Sequence, residues 1–257
     1  MRFSLIFSLG VLLMAHTLKS QIIVEDFFDE PAIDETKWIN INPHQNTILN
    51  DWRSHTVTSV TTYSDGALKL ANGASLSSAI PINQPYRFSG VFIQTSGPTG
   101  GGRPSITLRG TTDRLHSVYK APAASINLYF HPFINATNKL DIAQWFDFAD
   151  YENTWRPVVE TYKNNDFYLS MDSPTEFVIE DWGNLLKVWI NDVFVSEAVL
   201  SDSDFGGKVA LTGAWFDYAG LKVDSLKIES IPEPHGIWSL AASFAVFLAS
   251  RKRKKSV

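Results

Sequence analysis

The sequence contains no cysteine. Disulfides are therefore excluded, although they are the usual means by which exported domains with small cores are stabilised. The folded state must instead be stabilised by buried apolar surface, and a chain of 257 residues is long enough to build such a core. The missing cysteine also excludes a lipoprotein anchor after the N-terminal apolar stretch.

The chain also lacks an apolar run of the roughly 20 residues that span a bilayer. Two shorter runs lie at its ends, Phe3–Ala15 and Ile237–Ala249. The first follows Met1-Arg2 and is succeeded by polar residues up to Ser20. This order is typical of a secretory signal peptide, and its length argues against an N-terminal transmembrane helix. We predict that residues 1–20 are a signal peptide, cleaved before Gln21, and that the protein is exported.

Basic charge is scarce outside the two ends. The net charge is −5, yet seven of the 22 basic residues lie at Arg2, Lys19 and positions 251–255. The body between the ends is therefore more acidic than the whole chain. An acidic body argues against nucleic acid and anionic lipid as partners, and it suits a soluble domain outside the cell.

The C-terminal segment, residues 232–257, has three parts in a fixed order. Proline has a fixed φ and no N–H, so the first part stays extended. The short apolar helix and the basic cluster that follow would hold the end of the chain on the cytoplasmic side. The three parts are Pro232-Glu233-Pro234, the run Ile237–Ala249, and Arg251, Lys252, Arg253, Lys254 and Lys255.

This segment resembles the PEP-CTERM sorting signal of Gram-negative bacteria that make exopolysaccharide. The resemblance implies an exosortase as partner, a transient inner-membrane intermediate, and final placement at the cell surface or outside the cell. The alternative is an ordinary tail anchor with a chance Pro-Glu-Pro.

The sequence of the body, residues 21–231, indicates an all-β fold. Short runs rich in Val, Ile, Phe, Tyr and Trp alternate with Gly, Pro, Asn and Asp turns, and no long stretch has helical spacing. We predict a two-sheet antiparallel jelly-roll sandwich, with a short apolar helix only at the C-terminus. The predicted strands are Ile22–Val24, Ala67–Leu70, Phe88–Gln94, Ile106–Leu108, Ser125–Phe130, Asp141–Phe148, Pro157–Glu160, Phe167–Ser170, Glu176–Glu180, Leu185–Ile190, Val193–Val195, Lys208–Thr212 and Leu226–Ile228.

The order of motifs in the body is similar to that of the concanavalin A-like lectin and glucanase superfamily, including its laminin-G-like members. The motifs are Phe27-Phe28-Asp29, the segment 64–70, the tight turn Asn191-Asp192, the run 205–211, and Val223-Asp224-Ser225-Leu226-Lys227-Ile228. The resemblance implies a jelly-roll sandwich that can bind glycans. Members of this superfamily include enzymes, lectins and spacers, so the fold does not decide the function.

A catalytic carboxylate pair is not visible. Retaining glycosidases need two carboxylates about 5–5.5 Å apart, and the family-16 glycosidases carry them on one strand as Glu-x-Asp-x-(x)-Glu, with a bulge in the longer form. The best match keeps the central Asp141 but has Lys139 and Gln144 where the glutamates would stand. Neither can act as nucleophile or general acid, and the Gly-x-Ser-x-Gly signature is also absent. We therefore predict no catalytic residues.

A short internal repeat supplies candidate carbohydrate-binding residues. Trp145 and Asp147 recur 70 residues later as Trp215 and Asp217 in the same spacing. On a strand, Trp and Asp would share a face, where an indole can stack on a sugar ring and a carboxylate can accept hydroxyl hydrogen bonds. Asp141 belongs to the same candidate set. The alternative is that the aromatic residues pack the core and the acids end strands.

No cofactor is required, but calcium is a candidate ligand. In many members of the superfamily the first and last strands are neighbours, which would bring Glu25 or Asp26 near Asp224. Clustered carboxylate oxygens suit Ca²⁺. The alternative is that Asp224 caps a turn or faces solvent.

The predicted function is that of an exported surface or matrix protein with a non-catalytic sandwich that binds extracellular polysaccharide, in association with exopolysaccharide or biofilm. Two alternatives stay open. One is a matrix protein without a specific ligand, and the other is a secreted polysaccharide hydrolase with an unrecognised site.

Overall fold

The computed structural model describes twelve segments of the chain: residues 20–30, 32–41, 62–64, 67–71, 75–94, 104–110, 125–131, 139–145, 158–163, 172–200, 206–213 and 220–232. One compact unit, Ile22–Ser230, is the domain discussed below. The second unit, residues 1–21 and 231–257, is described only at 20–21 and 231–232. None of the described segments is a helix long and apolar enough to cross a membrane.

Fifteen strands form the described part of the domain. They are β1 (Ile22–Asp26), β2 (Trp38–Ile41), β3 (Thr62–Ser64), β4 (Ala67–Ala71), β5 (Ser75–Ser78), β6 (Tyr86–Gln94), β7 (Ser105–Gly110), β8 (Ser125–His131), β9 (Lys139–Trp145), β10 (Val158–Lys163), β11 (Pro174–Asp181), β12 (Leu185–Ile190), β13 (Val193–Val199), β14 (Lys208–Thr212) and β15 (Gly220–Ser230).

The strands build two antiparallel sheets. The eight-stranded sheet has the order β13-β12-β11-β6-β15-β4-β3, with β1 paired to β15 beside it. The seven-stranded sheet has the order β10-β9-β8-β7-β14-β5-β2. The predicted all-β, two-sheet antiparallel sandwich is thereby confirmed. The predicted C-terminal helix lies outside the described residues.

Alternation of side chains explains how each strand contributes to the core. Along β6 every second residue is buried, from Tyr86 to Gln94. The neighbouring β11 and β12 follow the same period of two. This period places one face of each strand against the opposite sheet and leaves the other face outward. We call the face that points away from the core the outer face of each sheet.

The centre of the eight-stranded sheet holds an aromatic cluster. The ring centroids of Phe88 and Phe177 are 5.1 Å apart, and those of Phe92 and Phe177 are 6.0 Å apart. All three residues are essentially fully buried. Edge-to-face and tilted ring contacts of this kind stabilise a core beyond the area that they bury.

Gly90 pairs with Phe177 in the middle of this cluster, and the space around it leaves no room for a larger residue. A Cβ atom at this position would lie 2.4 Å from the backbone oxygen of Ser225 and 2.7 Å from a methyl carbon of Leu226. We expect Gly90→Ala to lower the free energy of unfolding by about 1–3 kcal/mol, since overpacking must be relieved by backbone movement. Urea denaturation measures this change. Ser89→Ala, next to it and partly exposed, is the control and should change the free energy by less than about 0.5 kcal/mol.

Candidate functional site

The outer face of the seven-stranded sheet is polar at its centre. Leu76, Ile106 and Leu211 pair with one another across three strands and are fully buried in the core. The residues that alternate with them, on the outer face, are small: Ser77, Ser105, Thr107, Ala210 and Thr212. Their exposures are 5% or less. The middle of this face is therefore lined by small, mostly hydroxyl-bearing residues that are buried in the folded chain, where the Ser77 hydroxyl donates to the carbonyl of Ser78 and Ile39 packs against Ala210.

Strand register extends this face to β8 and β9. Thr212 pairs with Ser105, which pairs with Tyr129, which in turn pairs with Asp141. The next row across the sheet runs through Ala210, Thr107, Asn127 and Ala143. Asp141 therefore occupies a position in the same row as the small hydroxyl residues. Hydroxyl, amide, phenol and carboxylate groups are all partners for sugar hydroxyls, so the row is our candidate site.

Trp145 occupies the last position of β9, four residues from Asp141, or about 13 Å along the strand. Its backbone partner is Ser125, at the start of β8. β14 ends at Thr212, in the row of Asp141, rather than at the level of Trp145. Asp147, Trp215 and Asp217 lie outside the described residues, so the two-tryptophan platform stays a prediction.

The register of β9 bears on the catalytic hypothesis. β9 pairs with β8 without a shift from Lys139 to Trp145, so β9 has no bulge against β8. Gln144 pairs with the core residue Ile126, whereas Asp141 pairs with Tyr129. Positions 141 and 144 therefore belong to opposite faces of the sheet. An acid at position 144 would share the face of Asp141 only if β9 were bulged between them.

The candidate calcium residues have other partners. As the resemblance implied, the first and last strands are antiparallel neighbours, but Glu25 pairs with Lys227 and Asp26 with Leu226. One carboxylate oxygen of Asp26 accepts a hydrogen bond from the backbone N–H of Phe28, at 2.9 Å. Asp224 is exposed at a shift of register in β15. Within the described segments, no three His, Asp or Glu side chains form a group that could hold a metal. The calcium site stays a prediction.

The outer face of the eight-stranded sheet carries a row of charges of alternating sign. Backbone pairing aligns five residues across it, namely Glu197, Lys187, Glu180, Arg87 and Glu229. The Arg87 guanidinium lies 2.6 Å from Glu180 and 3.0 Å from Glu229. Because neighbouring charges in the row are of opposite sign, the row stabilises strand pairing.

The protonation states at this row are set by those pairs. Burial acts to raise the pKa of Glu229, but hydrogen bonds and charge attraction from Lys227 and Arg87 outweigh it, and the pKa lies below its usual value. The hydrogen bond from Arg87 to Glu180 raises the pKa of the guanidinium. Both groups are therefore charged at neutral pH: Glu229 has no proton to donate, and the Arg87 guanidinium holds its protons too tightly to act as a general acid.

A buried ion pair joins the two sheets at one end of the sandwich. Arg109, on β7, donates from Nε to Asp181 Oδ2 at 2.8 Å, and its Nη2 bonds both to Asp181 Oδ1 and to the carbonyl of Gly183. The two side chains are 7% and 0% exposed. Burial raises the pKa of the neighbouring Tyr86 well above its usual value, and the charge of Asp181 adds to this effect. Sequence reasoning missed this cluster.

Comparison with known proteins identifies the fold. No family model matches the chain, and no curated protein matches it in sequence. The structure is similar to an endo-β-1,3-glucanase from Pyrococcus furiosus, with a TM-score of 0.59 and 11% identity over 82% of this chain and 94% of that one. It is also similar to a legume lectin-like domain from Entamoeba histolytica, with a TM-score of 0.55 and 9% identity over 83% and 97% of the two chains.

A third similar structure is the potassium-bound carbohydrate recognition domain of Emp46p, with a TM-score of 0.52 and 12% identity over 79% of this chain and 94% of that one. Enzymes and non-catalytic lectins thus occur among the similar structures. At these identities the likeness concerns the fold alone. The chain has the galectin-like and concanavalin-like β-sandwich fold that is found in glucanases and in carbohydrate-binding proteins.

Proposed function

We propose that the protein binds extracellular polysaccharide, without cleaving it, on the outer face of the seven-stranded sheet. The observation that carries this proposal is the row that joins Asp141 to Ser105 and Thr212 through backbone pairing. The row combines a carboxylate position with small hydroxyl-bearing residues along one face of the sheet. Several proteins of this fold are named as lectins or carbohydrate recognition domains, which supports a glycan as the ligand.

The proposal of binding without cleavage rests on β9. A retaining glycosidase needs two carboxylates about 5–5.5 Å apart on one face. Lys139 and Gln144 stand where the family-16 pattern has its two glutamates. Position 144 pairs with the core residue Ile126, so it belongs to the face of β9 opposite to that of Asp141. A hydrolase with a different site is the second candidate, because a glucanase has the same fold.

A panel of bacterial and algal polysaccharides distinguishes these candidates. In affinity electrophoresis, we expect one or more polysaccharides in the gel to slow the migration of the full chain. We expect the chain to release no reducing sugar from any of them. Release of reducing sugar at a rate above that of buffer would replace the binding proposal with the hydrolase. A matrix protein without a ligand would neither bind nor cleave.

We further propose that the C-terminal segment is a sorting signal read by an exosortase, so that the protein passes through the inner membrane to the cell surface or the extracellular matrix. The order Pro232-Glu233-Pro234, apolar run and basic cluster supports this proposal. Because proline fixes φ and has no N–H, the tripeptide is expected to stay extended, a form that a protease can bind as a peptide. The apolar run and the basic residues would by themselves retain the chain in the membrane.

Replacing both Pro232 and Pro234 by alanine is expected to leave full-length protein in the inner membrane, with its basic end in the cytoplasm. Deleting residues 232–257 should instead give a periplasmic or freely secreted domain. Fractionation, followed by mass spectrometry of the mature C-terminus, measures both results. If the alanine variant is processed and placed as the wild type is, the tail is only an anchor.

A further inference from the structure

A second row of outer-face positions on the seven-stranded sheet is basic. Lys163 on β10 pairs with Lys139 on β9, which pairs in turn with His131 on β8. Leu140, the residue after Lys139, is fully buried, so the alternation along β9 assigns position 139 to the outer face. Residues that pair directly across antiparallel strands belong to the same face. We call Lys163, Lys139 and His131 the basic row.

The basic row is the immediate neighbour of the row that contains Asp141. Lys139 and Asp141 are two residues apart on β9, which corresponds to about 7 Å along the strand. Neighbouring strands are about 5 Å apart, so the three basic positions lie within about 10 Å of one another. A polysaccharide bound at the row of Asp141 is therefore within reach of the basic row.

The charges of these two rows do not balance. Lys139 and Lys163 occupy directly opposed positions, and like charges in that arrangement destabilise strand pairing. Among the described positions of the two rows, Asp141 is the only acid, and one carboxylate cannot neutralise two lysines. Glu160 pairs with the core residue Ile142 and so belongs to the other face. The two rows together carry a net positive charge that an anionic ligand would compensate.

The acidic body does not cancel this local charge. The acids that the structure aligns across the eight-stranded sheet, Glu197, Glu180 and Glu229, are each paired with Lys187 or Arg87. They also belong to the outer face of the other sheet, and the two sheets of a sandwich pack about 10 Å apart. Exposed charges separated by more than about 8 Å are largely screened at physiological ionic strength. An anion at the basic row is therefore affected mainly by the basic row itself.

We propose that the polysaccharide bound on the seven-stranded sheet is anionic, and that its acidic groups, carboxylate or sulfate, contact the basic row. This inference rests on the proposed glycan site. Lysine ammonium groups donate hydrogen bonds to carboxylate or sulfate oxygens, whereas the Asp141 carboxylate accepts hydrogen bonds from sugar hydroxyls. The two rows thus match the two kinds of polar group that an acidic sugar carries. A neutral polysaccharide offers no counter-ion to the basic row.

Pairs of polysaccharides that differ only in charge test this class. They are polygalacturonate and its methyl ester, alginate and its propylene glycol ester, and dextran sulfate and dextran. We expect the full chain to bind the charged member of at least one pair at least about tenfold more tightly than its neutral partner in biolayer interferometry. Preference within an ester pair identifies carboxylate as the bound group, and preference within the dextran pair identifies sulfate.

Equal affinity within every pair, or binding of neutral polysaccharides alone, would overturn the anionic class and leave the glycan site standing. Absence of binding to any polysaccharide, charged or neutral, would overturn both. These comparisons use the wild-type protein, so they do not depend on whether a variant folds.

Paired substitutions locate the bound anion. Lys139→Gln with Lys163→Gln should weaken binding of the charged polymer at least about tenfold, since a hydrogen bond to a charged group contributes at least about a factor of ten. Lys139→Arg with Lys163→Arg keeps both charges and should bind as wild type does. Lys69→Gln with Lys222→Gln is the matched control, because these two lysines also pair directly, but on the eight-stranded sheet.

We expect the control pair to bind as wild type does, with circular dichroism showing that every variant is folded. An equal loss of affinity in the control pair would mean that binding follows the overall charge of the protein, and would overturn the proposal. A folded Lys139→Gln and Lys163→Gln variant with wild-type affinity would overturn it as well.

Discussion

Replacing Asp181 by asparagine is expected to lower the free energy of unfolding by about 3–5 kcal/mol. The substitution keeps the size of the side chain but removes its charge, so the Arg109 guanidinium stays buried without its counter-ion. Arg109 belongs to β7 of the seven-stranded sheet and Asp181 to β11 of the eight-stranded sheet. The pair therefore joins the two sheets, and its loss acts on their packing.

Urea denaturation followed by circular dichroism measures this effect. Lys187→Gln is the matched control, because Lys187 and Glu197 form an ion pair at 3.5 Å whose side chains are 33% and 47% exposed. Such pairs contribute less than about 1 kcal/mol. A change for Asp181→Asn no larger than that for the control would mean that the Arg109–Asp181 pair does not hold the sheets together.

The strands that the sequence predicted best are rich in β-branched and aromatic residues and are bounded by a turn. Glu176–Glu180 and Leu185–Ile190 were predicted as strands on either side of a turn, and they correspond to β11 and β12. In both, burial alternates along the strand. Both runs are rich in Val, Ile, Phe or Trp and are bounded by the predicted turn at residues 181–184, which is why these bounds agree to within a few residues.

The strands that the prediction missed lack this signal. β5 (Ser75–Ser78) consists of three serines and one leucine, a composition that by itself favours turns. Its pairing with β2 and β14 decides its conformation, and Ser77 and Ser78 are buried there. β3 (Thr62–Ser64) is too short to show a period. Tertiary pairing overrides local propensity in both cases.

In the candidate site, too, residues with a local sequence signal were predicted, and residues placed by strand pairing were missed. Asp141 was identified from the sequence because it lies within a recognisable pattern on one strand. Ser105 and Thr212 were not, because only the register of four strands places them in the same row as Asp141. The Arg109–Asp181 pair joins residues 72 positions apart on different sheets, and nothing near either residue indicates the other.

Loss of glycan binding is the second large effect that we expect. Asp141→Ala and Trp145→Ala each change one position of β9 on the proposed binding strand. Either substitution should weaken binding at least about fivefold, since a desolvated charged hydrogen bond or an aromatic stacking contact contributes about 1–3 kcal/mol. Trp215→Ala is expected to act in the same direction if the internal repeat forms a common platform.

The control tryptophan lies on the other sheet. Trp189 is partly exposed on the outer face of the eight-stranded sheet, where its ring centroid is 5.4 Å from that of Phe194. Trp189→Ala removes an aromatic side chain of the same kind without touching β9. Circular dichroism of every variant excludes loss of binding through loss of folding.

The most direct measurement is therefore the affinity of wild type, Asp141→Ala, Trp145→Ala and Trp189→Ala for the polysaccharide that the panel selects, determined by affinity electrophoresis. We expect both β9 variants to lose binding while Trp189→Ala and wild type bind alike. Folded β9 variants that bind as wild type does, or a Trp189→Ala variant that alone loses binding, would contradict a glycan site on the outer face of the seven-stranded sheet.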